Sequence, residues 1–81
     1  MNVRVQFYAQ LRDVAGTSES TIEVPDNGTV RQLLNEIYRK TPSLRPHDKT
    51  ILIGAGVEFV DRNYVIKPNE TISIMPPVQG G

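Results

Sequence analysis

The residues with the clearest chemical potential stand at the end of the chain, where Met75, Pro76, Pro77, Val78 and Gln79 lead to the pair Gly80 and Gly81. Glycine has no Cβ, so a partner can enclose a diglycine terminus in a channel too narrow for other residues. The terminal carboxylate is then a candidate reagent. Ordinary structural uses of glycine do not compete, because a strand end gains nothing from it and no turn follows. A loose terminus is the plain alternative. Pro76 and Pro77 lack amide hydrogens and favour an extended path, which predicts a tail that is stiff at its base and projects. Residues 76–81 reach at most roughly 20 Å at about 3.3–3.6 Å each, enough to carry the carboxylate into another protein's active site.

Other candidate chemistry is sparse. With no cysteine in the sequence, disulfides, thiolate metal sites and thiol catalysis are excluded. The lone histidine, His47, sits between Pro46 and Asp48; one imidazole builds no zinc site, and it reads as a surface residue of a loop. Gly54, Ala55 and Gly56 form a GxG after an apolar run, but Val57, Glu58, Phe59 and Val60 follow where a phosphate loop needs a further glycine and a helix. A hairpin turn accounts for them. Glu58 with Asp61, and Asp13 with Glu19, read as solvated charges with no base or nucleophile beside them. These residues therefore predict no self-contained active site, no metal and no bound cofactor.

The 9 acidic and 9 basic residues are scattered rather than gathered, which argues against nucleic-acid or anionic-membrane binding. No apolar run approaches the roughly 18 residues of a membrane span. A cytoplasmic location is expected.

The elements that must position the tail can be read in order. Val3, Val5 and Phe7 alternate with Arg4, Gln6 and Tyr8 in the two-residue period of a half-buried strand. Ala9 to Asp13 favour a short helical turn closed by Gly16. Thr21 to Val24 is a second strand, with Ile22 and Val24 on one face, and completes an N-terminal hairpin. Thr29 and Gln32 have the spacing of a capping box, and Val30, Leu33, Leu34, Ile37 and Tyr38 form one helical stripe that ends before Pro42. Ser43 to Lys49 reads as loop.

Beyond it, Thr50 to Ile53 predicts a buried strand stopped by Gly54, and Val57 to Val60 a continuation of the sheet. Tyr64 to Ile66 is too short to assign, and Pro68 to Glu70 is a turn. Thr71 to Met75 is the last strand, with Ile72 and Ile74 inward. A single main helix across a mixed sheet is an α+β arrangement, one domain over residues 1–75 with a tail over 76–81. If the first and last strands are neighbours, Tyr8 and Met75 share the face opposite the helix, joined by Phe59 if its register allows. Exposed aromatic residues and Met there suggest a protein interface.

Phe7 to Arg12 (FYAQLR), the capped helix, Pro68 to Ile72 and above all Met75 to Gly81 (MPPVQGG) resemble the MoaD/ThiS family of ubiquitin-like sulfur carriers. The similarity spans the whole chain, and the PPV-x-GG ending is its most specific part. It implies a ubiquitin-like β-grasp fold with a mixed sheet of four to five strands on one main helix. It also implies that Gly81, with Gly80, is the reacting terminus, activated with ATP by a ubiquitin-activating-type (MoeB-like) enzyme. A sulfur donor would convert the acyl-adenylate to a thiocarboxylate. Inserted in the large (MoaE-like) subunit of molybdopterin synthase, the thioacid would pass sulfur to the pterin precursor of the molybdenum cofactor. Tyr8, Arg12, Phe59, Met75, Pro76, Pro77 and Val78 are the partner contacts the resemblance carries over. Carriers for thiazole synthesis or tRNA thiolation, and modifiers joined to lysines, share the fold and the diglycine and stay open as alternatives. The chain departs from the family's pattern at Gly54 to Val57, often an Asn-Gly type turn, and at Met75, commonly aromatic.

Overall fold

Val3, Val5 and Phe7 are buried while Asn2 and Arg4 face water, and this alternation makes Asn2–Phe7 the first strand, β1. The computed structural model describes residues 1–77. A short helix, α1 (Gln10–Ala15), follows and ends where Gly16 turns left-handed at φ 77° and donates its N–H to the Arg12 carbonyl. The second strand, β2 (Glu19–Glu23), returns antiparallel to β1 with Val3 opposite Ile22. The predicted hairpin is therefore present, begins two residues earlier than Thr21, and is joined through α1 rather than by a tight turn.

The main helix, α2 (Val30–Lys40), starts at the predicted capping box. Gln32 N donates to Thr29 Oγ1 at 3.3 Å, and Thr29 N donates to Gln32 Oε1 at 2.9 Å. Val30, Leu33, Leu34, Ile37 and Tyr38 are all buried, as their spacing predicts. The expected loop over 43–49 is largely a 3₁₀ helix, Pro42–His47. Proline fits the first helical turn because no partner for its missing N–H is needed there, and Leu44 fastens the turn by burying its side chain. His47 is half-buried, and its carbonyl accepts from the N–H groups of Thr50 and Ile51.

Glycine also misleads in the next stretch. The third strand, β3 (Leu52–Ala55), runs through Gly54 instead of stopping there, and the turn falls at Gly56, φ 63°. After it comes the two-residue strand β4 (Glu58–Phe59). The unassigned 64–66 stretch makes an isolated bridge between Val65 and Thr29, and Val30 N donates to the Tyr64 carbonyl at 3.0 Å. The last strand, β5 (Thr71–Met75), buries Ile72 and Ile74 as expected.

The strands form one mixed sheet in the order β2-β1-β5-β3-β4. β1 and β5 are parallel, and each other pair is antiparallel. The inward strand residues and the α2 stripe share a single hydrophobic cluster, which is the predicted α+β arrangement. A polar cluster closes one edge of it. Tyr38 donates its hydroxyl to Asp48 Oδ1 at 2.6 Å, Arg62 Nη1 donates to the same oxygen at 2.7 Å, and Arg62 Nη2 donates to the Asp48 carbonyl. The Tyr38 hydrogen bond, reinforced by Arg62, holds the Asp48 carboxyl below its ordinary value of 3.8 against the opposing pull of desolvation.

Candidate functional site

The strand registers align one row across the outer face of the sheet: Glu19, Gln6, Ser73, Gly54 and Phe59. Polar residues occupy the β2–β1 side of that row and the apolar ones gather on the other. Leu52 is the cross-strand neighbour of Met75. Tyr8 N donates to the Ile74 carbonyl at 3.1 Å, which carries the β1–β5 pairing one residue past β1 and holds Tyr8 beside the end of β5. Ala9, at φ 52°, then turns the chain into α1.

A groove of about 320 Å³ results, lined by Tyr8, Gly54, Phe59, Ser73 and Met75, with Gly56 to Glu58 as its rim. Tyr8 is 43% and Phe59 67% exposed. These are large apolar surfaces left in water beside the root of the tail, the composition of a protein contact rather than of a small-molecule cavity. Grooves of similar size elsewhere differ in character: one of about 350 Å³ is lined by Asn2, Arg4, Thr21, Asn69, Glu70 and Thr71 and is largely polar. Another, of about 350 Å³, is lined by Ile51, Leu52, Ile53, Phe59 and Val60 together with Arg31, Asp61 and Arg62. Neither size nor apolar lining alone therefore singles out the site; its place beside the end of β5 does.

Tyr8 is tied to its neighbours through its hydroxyl. Its hydroxyl donates to Gln6 Oε1 at 2.8 Å, Gln6 Nε2 donates to Glu19 Oε1 at 3.3 Å, and Arg4 Nε lies 3.8 Å from Glu19 Oε2. This exposed chain links the Tyr8 hydroxyl to the polar side of the outer face.

The structure thus brings together Tyr8, Phe59 and Met75, three of the residues singled out from the sequence, and settles the facing of Phe59. It does not bring Arg12 into the same groove. Arg12 is exposed on α1 and lines a shallower depression of about 190 Å³ with Gln6, Tyr8, Ser18 and Glu19, so Tyr8 is the wall between the two. Pro76 and Pro77 follow β5 outside any strand. Val78, Gly80 and Gly81 lie outside the described residues.

Two contributors escaped the sequence reading. Gly54 reads as a strand breaker although it forms the floor of the groove, and Gln6 reads as an ordinary outward polar residue although it orients Tyr8. Two-residue periodicity alone puts Gln6 and Tyr8 on one face, and that was the available signal for the latter. Among the described residues no group of three or more His, Cys, Asp or Glu side chains is arranged to hold a metal ion.

Proteins of this fold among solved structures include both molybdopterin converting factor subunits and small archaeal modifier proteins. The sequence pattern of the ThiS family matches residues 5–81. A molybdopterin synthase sulfur carrier subunit from Chlamydomonas reinhardtii is 31% identical over 83 residues, covering 100% of both chains. Among solved structures, molybdopterin converting factor subunit 1 from Pyrococcus furiosus superposes with a TM-score of 0.87 at 26% identity, covering 96% of this chain and 99% of that one. A complex of subunits 1 and 2 of the molybdopterin-converting factor from Helicobacter pylori contains the same fold, with a TM-score of 0.72 at 23% identity and 100% of both chains covered.

Proposed function

The chain belongs to the ThiS family, and from that premise we propose that it is the sulfur-carrying small subunit of molybdopterin synthase, with the Gly81 carboxylate as its reactive group. The observation that carries this reading is the exit of the chain: β5 is paired on both sides, by β1 and by β3, and ends at Met75 on the wall of the apolar groove. A tail rooted there leaves from the rigid middle of the sheet, and the groove beside it offers a docking surface. The Chlamydomonas relative's name as a sulfur carrier subunit supports the assignment. The Helicobacter complex of two subunits supports a large-subunit partner.

A carboxylate is a poor electrophile until one oxygen is converted to a leaving group. In the proposed cycle an activating enzyme supplies ATP, the Gly81 carboxylate attacks the α-phosphorus, and pyrophosphate leaves. A hydrosulfide equivalent from a sulfur donor then displaces AMP with loss of a proton, leaving a terminal thiocarboxylate. Sulfur is a good nucleophile in that form. In the large subunit it attacks a carbon of the pterin precursor and displaces an oxygen leaving group from that carbon, and water then cleaves the resulting thioester, leaving the sulfur on the pterin and restoring the carboxylate.

This chain's own contribution is positional: Tyr8, Phe59 and Met75 dock the partner, Pro76, Pro77 and Val78 span the gap, and Gly80 and Gly81 thread the channel. Arg12, beyond Tyr8, extends the contact on the α1 side. The dependence on ATP fits a cytoplasmic site of action, and no helix among the described residues is long and apolar enough to cross a membrane.

The test is intact-mass analysis after incubation with the activating enzyme, ATP and a sulfur source. Exchange of one C-terminal oxygen for sulfur is expected, and it is lost when Gly80 and Gly81 are deleted. An unchanged mass with a demonstrably active activating enzyme would overturn the assignment.

A further inference from the structure

Gly54 stands inside a strand, where a glycine weakens the element, and its φ lies outside the left-handed region that would require one. Its presence therefore calls for another cause. A Cβ at this position would lie 3.1 Å from Met75 Cε, 3.6 Å from Ser73 Cβ and 3.7 Å from the Glu58 carbonyl oxygen. The last two are ordinary contacts. Only the methyl of Met75 is tighter than an ordinary contact, so it must give by a few tenths of an ångström, and it is the free end of an unbranched side chain with several rotatable bonds. Gly54 is buried although it belongs to the outer face, which fits a Met75 side chain lying across it.

We propose that Gly54 is a positioning residue for partner docking: lacking a side chain, it seats the Met75 thioether flat across β3 and so keeps the groove between Tyr8 and Phe59 open for an apolar side chain of the large subunit. The inference rests on the sulfur-carrier reading given above. A Cβ at position 54 displaces the Met75 tip, and the open space bordering that tip is the groove itself, lined by Tyr8, Gly54, Phe59 and Met75. The floor of the contact is thereby set by a residue the partner need not touch.

The test is a double-mutant cycle in the full chain with Gly54→Ala and Met75→Ala, read by calorimetric titration of the large subunit. Gly54→Ala is expected to melt no earlier than the wild type and to bind about tenfold more weakly. The double variant is expected to bind no more weakly than Met75→Ala alone, because without the thioether the added methyl has nothing to displace. A merely structural glycine would lower the melting temperature instead. The sequence holds two methionines, so with methyl-labelled methionine the Met75 ε-methyl resonance reports directly; Gly54→Ala is expected to shift it and leave that of Met1 in place.

Unchanged affinity of Gly54→Ala, penalties that simply add, or an unmoved Met75 resonance would each overturn the inference and leave the sulfur-carrier assignment standing. A wild-type chain that fails to bind the large subunit at all would overturn both. Failure of both Gly54→Ala and the double variant to fold would also overturn it, since the added Cβ then meets more than the Met75 tip.

Discussion

Phe59 leaves 67% of its surface in water, so its side chain contributes little to the core and much to whatever covers the groove. Phe59→Ser is expected to leave unfolding free energy within about 0.5 kcal/mol of the wild type. Binding to the large subunit is expected to weaken by about 2 kcal/mol, as for an aromatic anchor at the centre of an interface. Urea titration and calorimetry on the same preparation check the two halves separately. At this scale the sequence is informative where side chains alternate: the outward facing of Tyr8 and Met75 follows from the pleat alone. Phe59 was ambiguous because Gly54 to Gly56 obscure the register, and only the pairing of Gly54 with Phe59 resolves it. Gly54 illustrates the opposite difficulty. Its meaning lies in a diagonal contact with Met75 on the neighbouring strand, which no local pattern announces.

Helix α2 was legible almost to the residue because its signals are short-ranged and agree: a reciprocal cap at Thr29 and Gln32, five buried residues at helical spacing, and a proline just beyond. Thr29→Ala removes the side-chain acceptor for the Gln32 amide and is expected to lower stability by about 1 kcal/mol, measured by urea denaturation of the two proteins. The 3₁₀ helix at Pro42–His47 was not legible, since its prolines are also the commonest loop signal. Its ordering comes from the tertiary burial of Leu44 and from the ties that Asp48 makes to Tyr38 and Arg62. Likewise β4 is two residues long and owes its existence to β3.

For the molecule as a whole, the Tyr38, Asp48 and Arg62 cluster joins α2 to segments on either side of the β3–β4 hairpin, so its ionisation couples separate parts of the chain. The Asp48 carboxyl titrates lower in the folded state than its ordinary 3.8, chiefly because it accepts from Tyr38. Its contribution is therefore fully present above about pH 4 and is lost as pH falls through the depressed folded value. With 41% of the Asp48 side chain exposed, solvent screening limits the effect to at most about 1 kcal/mol. The stability advantage of the wild type over Asp48→Asn, followed by thermal melts from pH 7 to pH 2, is expected to stay level down to about pH 4 and then shrink.

The sheet's pairing order is the largest feature that no local pattern gives, because β1 and β5 both read as simple alternations and nothing in either says that they lie parallel and adjacent. That adjacency has a mechanical consequence. Tension between the start of β1 and the end of β5 pulls the two strands lengthwise past each other, so their interstrand rungs share the load together rather than rupturing one at a time. Along the line from its first residue to the root of its tail, the sheet is thus built like a lap joint.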